Sequence, residues 1–310
     1  MQKKKWLWRG LLTLILLAVL SIGGISAYVS WSLTHPDRQP LAATPKDYGL
    51  QYEEVAFTGR GDGVKLKGWL LPAKNSSHTV IFAHGYGKNR LQEDVPALTL
   101  AKELVTQGYN VLLFDFRNSG TSGGDITSVG QYEVNDLLGA VDYMKAKGPI
   151  GRHVALLGFS MGAATGILTA AREPEVEAVV ADSPFADLTA YLEENLPVWS
   201  HLPAVPFNRA IMTLAPPVTG LEPSAVSPVR EIGKIQGPIL LIHGDADHKI
   251  PLINSEKLLQ AANSPDKRLL VIKGADHVKG FATDRPKYLQ ETLGFLNKWR
   301  SQQPSTISNH

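Results

Sequence analysis

The stretch that most constrains this chain is Gly158-Phe159-Ser160-Met161-Gly162, set between two segments of opposite character. Before it, Val154-Ala155-Leu156-Leu157 is a continuous apolar run, as in a strand buried on both faces. After it, residues 163–171 read as a helix rich in small residues, able to pack close to its neighbours. A strand that turns into a helix this abruptly holds its central residue at strained dihedrals, and glycines on either side leave no side chain to clash there. Such a turn presents the Ser160 hydroxyl at the carboxyl end of a strand, where it can act as a nucleophile. A pentapeptide recurs by chance, so its partners must come from elsewhere in the chain.

From residue 48 onward, strand and helix signals alternate, which predicts a mostly parallel sheet covered by helices on both faces. Eight strands are expected. Residues 52–57 and 64–71 form an antiparallel hairpin around a glycine-rich turn. Buried strands follow at 79–83, 111–114, 154–157, 176–181, 239–242 and 269–272. Helices are expected at 95–107, 132–147, 163–171, 255–262 and 288–299. Residues 185–228 break the rhythm with two short helix-like pieces (187–196 and 207–214), many prolines, and the aromatics Tyr191, Trp199 and Phe207, which read as exposed. The segment is too apolar for disorder and too long for an ordinary connection, so it is expected to be an inserted helical lid.

The amino terminus has a different character. No charged residue lies between Arg9 and His35, and residues 10–28 are nearly all apolar, long enough to cross a bilayer as a helix. Trp6, Trp8, Tyr28 and Trp31 stand where interfacial anchors would, with membrane contact expected over residues 10–31. Lys3, Lys4, Lys5 and Arg9 precede the run and place the amino terminus in the cytoplasm by the positive-inside rule. Residues 1–35 therefore read as a cytoplasmic tip and single-pass anchor, 36–47, with three prolines, as an extended tether holding the domain off the bilayer, 48–300 as the folded domain outside the cell membrane, and 301–310 as a polar tail. The alternative is a signal peptide cleaved near Ile25-Ser26-Ala27 and a secreted protein; the apolar run is longer than the usual signal core, which favours the anchor.

Charge and composition exclude several functions. Taking the four amino-terminal cations from the 31 basic residues leaves 27 against 29 acidic ones, so the domain carries no nucleic-acid footprint. With no cysteine in the 310 residues, disulfides, thiolate metal sites and a cysteine nucleophile are excluded. No HExxH or clustered ligand pattern points to a metal, and no cofactor is expected.

A serine hydroxyl needs an imidazole to take its proton and a carboxylate to orient that imidazole. After strand 239–242 stands His243-Gly244-Asp245-Ala246-Asp247-His248, and after strand 269–272 stands Asp276-His277. Of the two histidines beyond the final strand, His310 ends the polar tail and His277 stands directly after the strand, and with His277 the order serine, acid, histidine is available. With these motifs assembled, residues 48–300 resemble an α/β-hydrolase, a mostly parallel eight-stranded sheet flanked by helices with a short helical lid. The apolar amino terminus together with the HGYG, GFSMG, DSPF and HGDADHKIP runs is similar to the membrane-associated bacterial serine hydrolases of the Bem46-like group. The resemblance implies Ser160 as nucleophile, His277 as base and Asp247 as acid, with Ile250 in place of the group's valine. Asp245 is the alternative acid, and Asp182 stands where some relatives of the wider fold carry theirs. The backbone N–H of Met161 supplies one oxyanion donor, and by resemblance that of Tyr86 supplies the other. His84 and His243 are expected to brace turns beneath the site, His248 to sit on its rim, and Asp115 and Arg117 to pin loops by charge-assisted hydrogen bonds. The expected activity is hydrolysis of small acyl esters, of short to medium chain, through an acyl-enzyme. The alternatives are a peptidase of the prolyl-oligopeptidase-like branch and a non-catalytic membrane-bound binding protein.

Overall fold

The computed structural model describes residues 2–303. In chain order the first elements are α1 (Gln2–Thr34), β1 (Glu53–Thr58), β2 (Lys65–Leu71), β3 (His78–Ala83), α2 (Ala97–Thr106), β4 (Asn110–Asp115), α3 (Glu133–Ala146) and β5 (His153–Phe159). They are followed by α4 (Met161–Arg172), β6 (Val176–Asp182), α5 (Leu188–Ser200), α6 (Ala204–Thr219) and a one-turn α7 (Pro228–Glu231). The chain closes with β7 (Ile239–Gly244), α8 (Ile253–Ala261), β8 (Lys267–Ile272), a one-turn α9 (Gly280–Thr283) and α10 (Arg285–Gln302).

Among the described residues the eight strands form one sheet in the order β1-β2-β4-β3-β5-β6-β7-β8. β2 pairs antiparallel with β1 and with β4, and every other pairing is parallel. The central strands read as unbroken apolar runs because both faces are covered, while their side chains still alternate. Val80, Phe82, Leu113 and Leu157 pack with Leu98 of α2 and Phe295 of α10 on one face. Ile81, Leu112 and Leu156 pack with Val141 of α3, Ile167 of α4 and Leu258 of α8 on the other. The chain passes from β3 to β4 on one side and then returns to place β5 on the other. That reversal opens a crevice at the carboxyl ends of β3 and β5, where ligands bind in open sheets of this kind.

Three segments differ from expectation. The lid helices α5 and α6 are longer than the sequence pattern suggests, and they run through Pro197, Pro216 and Pro217. Each of these prolines lacks the N–H that would bond the carbonyl four residues back, but all three fall in the last turns, where few helical residues follow for a kink to displace. Tyr191 is buried rather than exposed: its hydroxyl donates to the Lys249 carbonyl at 3.0 Å and accepts from the Trp199 indole N–H at 2.8 Å.

Residues 36–47 are not a free spacer. The Arg38 guanidinium donates to the carbonyls of Ser122 and Gly124, the Asn89 amide donates to the carbonyls of Gln39 and Pro40, and Pro45 is buried. Extended backbone carries unpaired carbonyls, and the domain surface supplies donors for them. At the carboxyl end, α10 continues through Gln302, and residues 304–310 of the expected tail lie outside the described residues.

Candidate active site

The turn between β5 and α4 is as tight as its glycines imply. Ser160 sits at φ 52° and ψ −118°, a left-handed conformation that a side chain adopts only under constraint. A Cβ on Gly158 would lie 2.3 Å from the Gly162 carbonyl oxygen, and one on Gly162 would lie 2.1 Å from that of Ala83. The Ser160 amide donates to the Asp182 carbonyl at 2.8 Å, which ties the turn to β6.

The loops after β7 and β8 bring the other two side chains to it. His277 Nε2 lies 2.9 Å from Ser160 Oγ, and His277 Nδ1 lies 2.8 Å from Asp247 Oδ2. With Nδ1–H donating to the carboxylate, Nε2 presents its lone pair to the serine, the arrangement a general base needs. Asp247 is further held by the amides of Lys249 (3.0 Å) and Ile250 (2.8 Å), both donating to Oδ1. Burial works to raise the Asp247 pKa, but the His243 and His277 imidazoles and the Ile250 amide outweigh it and hold the carboxyl well below the usual carboxylate range.

The other carboxylates are engaged elsewhere. Asp245 accepts from the Gly274 amide at 2.6 Å and braces a turn. Asp182 accepts from the Ser183 and Tyr288 hydroxyls, each at 3.0 Å, and burial pushes it up to about 6 against those bonds. Asp115 and Arg117 do pin loops, but with separate partners. Asp115 accepts from Arg90 Nη2 at 2.6 Å, and Arg117 donates to Asp136 and Asp62 at 2.7 Å each. His84 is buried, its Nδ1 2.8 Å from the Gly85 carbonyl and its Nε2 accepting from the Phe116 amide at 3.0 Å. His248 is on the rim, exposed, with Nδ1 3.5 Å from Asp276.

His243 braces the turn beneath the site as expected, its Nε2 2.7 Å from the Ile250 carbonyl, and it does more than that, lying 3.3 Å from Asp247 Oδ2 as a positioning residue. A second positioning residue is absent from the sequence expectations. Gln92 accepts from the Gly85 amide at 2.6 Å and so shapes the loop that carries Tyr86. Only the His243-Gly244 pair at the end of β7 points to the first, and nothing in the sequence points to the second.

That loop faces the serine: a Cβ on Gly85 would lie 3.5 Å from Ser160 Cβ. Met161 opens α4, where an amide has no acceptor within the helix and is free to meet an anion. The Tyr86 side chain leads away from the loop, donating its hydroxyl to the Leu33 carbonyl of α1 at 2.7 Å and meeting Trp199 edge to face. Burial pushes the Tyr86 phenol up to about 12.

Above Ser160 lies a pocket roofed by the lid. Its walls include Phe185 and Leu188, Leu192 and Trp199 of α5, and Ile211 and Met212 of α6; no charged side chain lines it. Ser30, Leu33 and Thr34 of α1 complete the wall. Among the described residues no group of three or more His, Cys, Asp and Glu is placed to hold a metal ion.

Residues 97–303 match the prolyl oligopeptidase family. The chain belongs to that family. It is similar to the uncharacterized YqkD of Bacillus subtilis, 30% identical over 90% of this chain and 93% of the relative. Human monoglyceride lipase is 28% identical over 87% of this chain and 97% of its own. An esterase of Pyrococcus furiosus superposes with a TM-score of 0.73 at 29% identity, covering 86% of this chain and 98% of that one. This member of the family thus has the α/β-hydrolase fold, with its eight-stranded, mostly parallel sheet, and is a serine hydrolase.

Proposed function

We propose that the chain is a membrane-anchored serine esterase in which Ser160 attacks the acyl carbonyl, His277 carries the proton and Asp247 orients His277. The observation that carries this reading is the continuous chain of bonds from Asp247 through His277 to Ser160 Oγ, at 2.8 and 2.9 Å, opening into an uncharged pocket. As Oγ bonds to the carbonyl carbon, Nε2 takes its proton, and the imidazolium keeps its second N–H on Asp247. The negative oxygen is met by the amides of Met161 and Tyr86, a donor pair of the type worth about 3 to 4 kcal/mol per member. Collapse expels the alcohol with the proton from His277, and water, deprotonated by the same Nε2, then frees the acid from Ser160.

The family's description favours amide bonds as a second reading. The pocket supports esters: a peptide's ammonium or polar backbone would enter walls with no charged group to pair with it, at a cost an acyl chain does not incur. The names of the Pyrococcus esterase and the human lipase point the same way. α1 is the one helix among the described residues long and apolar enough to cross a membrane, and we assign it as the anchor, with the catalytic domain outside.

The test is turnover of a p-nitrophenyl acyl ester beside an aminoacyl-prolyl amide by the full chain. The ester should be cleaved, with activity abolished by Ser160→Ala. Preferential cleavage of the amide would reverse the assignment.

A further inference from the structure

The anchor helix does more than reach the membrane, because its last turns are part of the pocket. Ser30, Leu33 and Thr34 face the cavity that ends at Ser160. In the same turns Tyr28, on the opposite side, and Trp31, on the flank, are 67% and 49% exposed. Tyrosine and tryptophan on a spanning helix mark the level of the lipid headgroups. Residues 10–28 rise about 28 Å as a helix, close to the thickness of a hydrocarbon core. The bilayer's apolar layer therefore ends near Tyr28, and the pocket wall begins within one further turn. That boundary is also where the ester carbonyls of bilayer lipids lie.

The lid helix α6 extends this arrangement toward the membrane. Ser30 Oγ meets the Ile211 carbonyl at 3.4 Å, and Ser26, Ser30 and Thr34 are buried at successive turns of α1, short side chains that allow close approach. Both helices end at one loop: the Thr34 carbonyl accepts from the Thr127 amide at 2.8 Å, and the Gly220 carbonyl accepts from the Gln131 side chain at 3.1 Å. They therefore run side by side in the same direction, and the first turn of α6 lies on the bilayer side of Ile211. The segment that enters α6 there, Ala204-Val205-Pro206, is apolar and open, with Val205 extended rather than helical and 85% exposed. Tyr86 ties the two systems together, since its hydroxyl holds the Leu33 carbonyl while its backbone belongs to the loop facing Ser160.

We infer that the substrate is an acyl ester resident in the bilayer, whose chain reaches Ser160 from the outer leaflet when the packed seam between α1 and α6, which walls the pocket, parts to admit it. This rests on the esterase reading above and adds where the substrate comes from. It also gives the anchor a second role. The pocket is complete only while α1 is attached, so the membrane span and the substrate wall are one helix. The wall offers the chain Leu33, Ile211 and Met212 and asks for no charged headgroup inside, so the reacting bond stays at the interface with its polar part outward.

The chain has no cysteine, which makes a reversible test possible. The full protein is reconstituted in phosphatidylcholine vesicles and assayed with p-nitrophenyl palmitate dissolved in those vesicles and with p-nitrophenyl acetate in the surrounding water. In the double variant Ser30→Cys/Ile211→Cys, oxidation locks α1 to α6. The palmitate-to-acetate rate ratio should then fall at least tenfold and recover on reduction. Ser30→Phe, which fills the wall without an oxidant, should lower the same ratio by a similar factor. A ratio that oxidation and Ser30→Phe both leave unchanged overturns the passage between the helices while leaving the esterase intact. If the unaltered chain turns over neither ester, the esterase reading fails and this inference with it.

Discussion

At the sheet rim, Asp247, His277 and Ser160 are joined by hydrogen bonds of 2.8 and 2.9 Å, and Asp247 takes two further backbone amides. The roof above them, built from α1, α5 and α6, meets the same cavity chiefly with leucine, isoleucine, methionine and aromatic side chains. Directional bonds hold the first region, and contact area holds most of the second, whose hydrogen bonds at Tyr191, Trp199 and Tyr86 are structural and lie outside the chain from Asp247 to Ser160. A directional network fails when one member is removed, because the others keep their geometry but lose their chemistry. An apolar roof loses only the transfer free energy and packing of what is cut away. The rim should therefore be intolerant of change and the roof adjustable, and mutations can measure the contrast.

The largest effect is expected from Ser160→Ala, about a 10⁶-fold loss of kcat on p-nitrophenyl esters, as for removal of a nucleophile from such a unit. Asp247→Asn should cost about 10⁴-fold, because an amide turns the histidine to the wrong tautomer while leaving the fold intact. A loss under tenfold would show that another carboxylate serves His277. His243→Leu removes the group that holds the Ile250 carbonyl and faces Asp247. Loss of such a buried bond is worth about 1 to 3 kcal/mol, so kcat should fall by about one to two decades. Trp199→Ala in the roof should raise KM for long-chain esters by about tenfold or less and leave kcat nearly unchanged. A kcat loss matching that of His243→Leu would erase the distinction between rim and roof.

The smallest effect concerns stability. Burial raises Asp182 to about 6 in the fold, above its unfolded value near 3.9. The folded state then binds more protons than the unfolded one between about pH 4 and 6, so this group's contribution to stability falls as pH rises through that window. Asp182→Asn lacks the effect. The Tm of the variant relative to the unaltered chain should climb by a few degrees from pH 4 to pH 6, at about 2 to 4 °C per kcal/mol. A flat difference would mean that Asp182 ionises normally.

The same contrast explains what could be read in the sequence. Central strands such as residues 154–157 are legible because burial on both faces leaves a bare apolar run. The positions of Ser160, Asp247 and His277 are legible because each follows such a run at the same rim. The roof was harder, because helices that bury one face against a pocket and expose another look like a proline-rich surface segment; Tyr191 and Trp199 read as exposed for that reason. In α1 the apolar composition suited to a bilayer hid a second pattern. Ser26, Ser30 and Thr34, spaced by four, mark the face that packs on α6, and that spacing is the signal that could have revealed it. The docking of residues 36–47 was not legible, since backbone carbonyls that find donors on a distant loop leave no trace in side-chain pattern.

The most direct measurement is the intact mass and peptide map of the full chain after exposure to an alkyl fluorophosphonate in vesicles. A single adduct per chain, located on Ser160 and absent from Ser160→Ala, is the expected result. An adduct on another residue, or one that persists in Ser160→Ala, would contradict the assignment of Ser160 as the nucleophile.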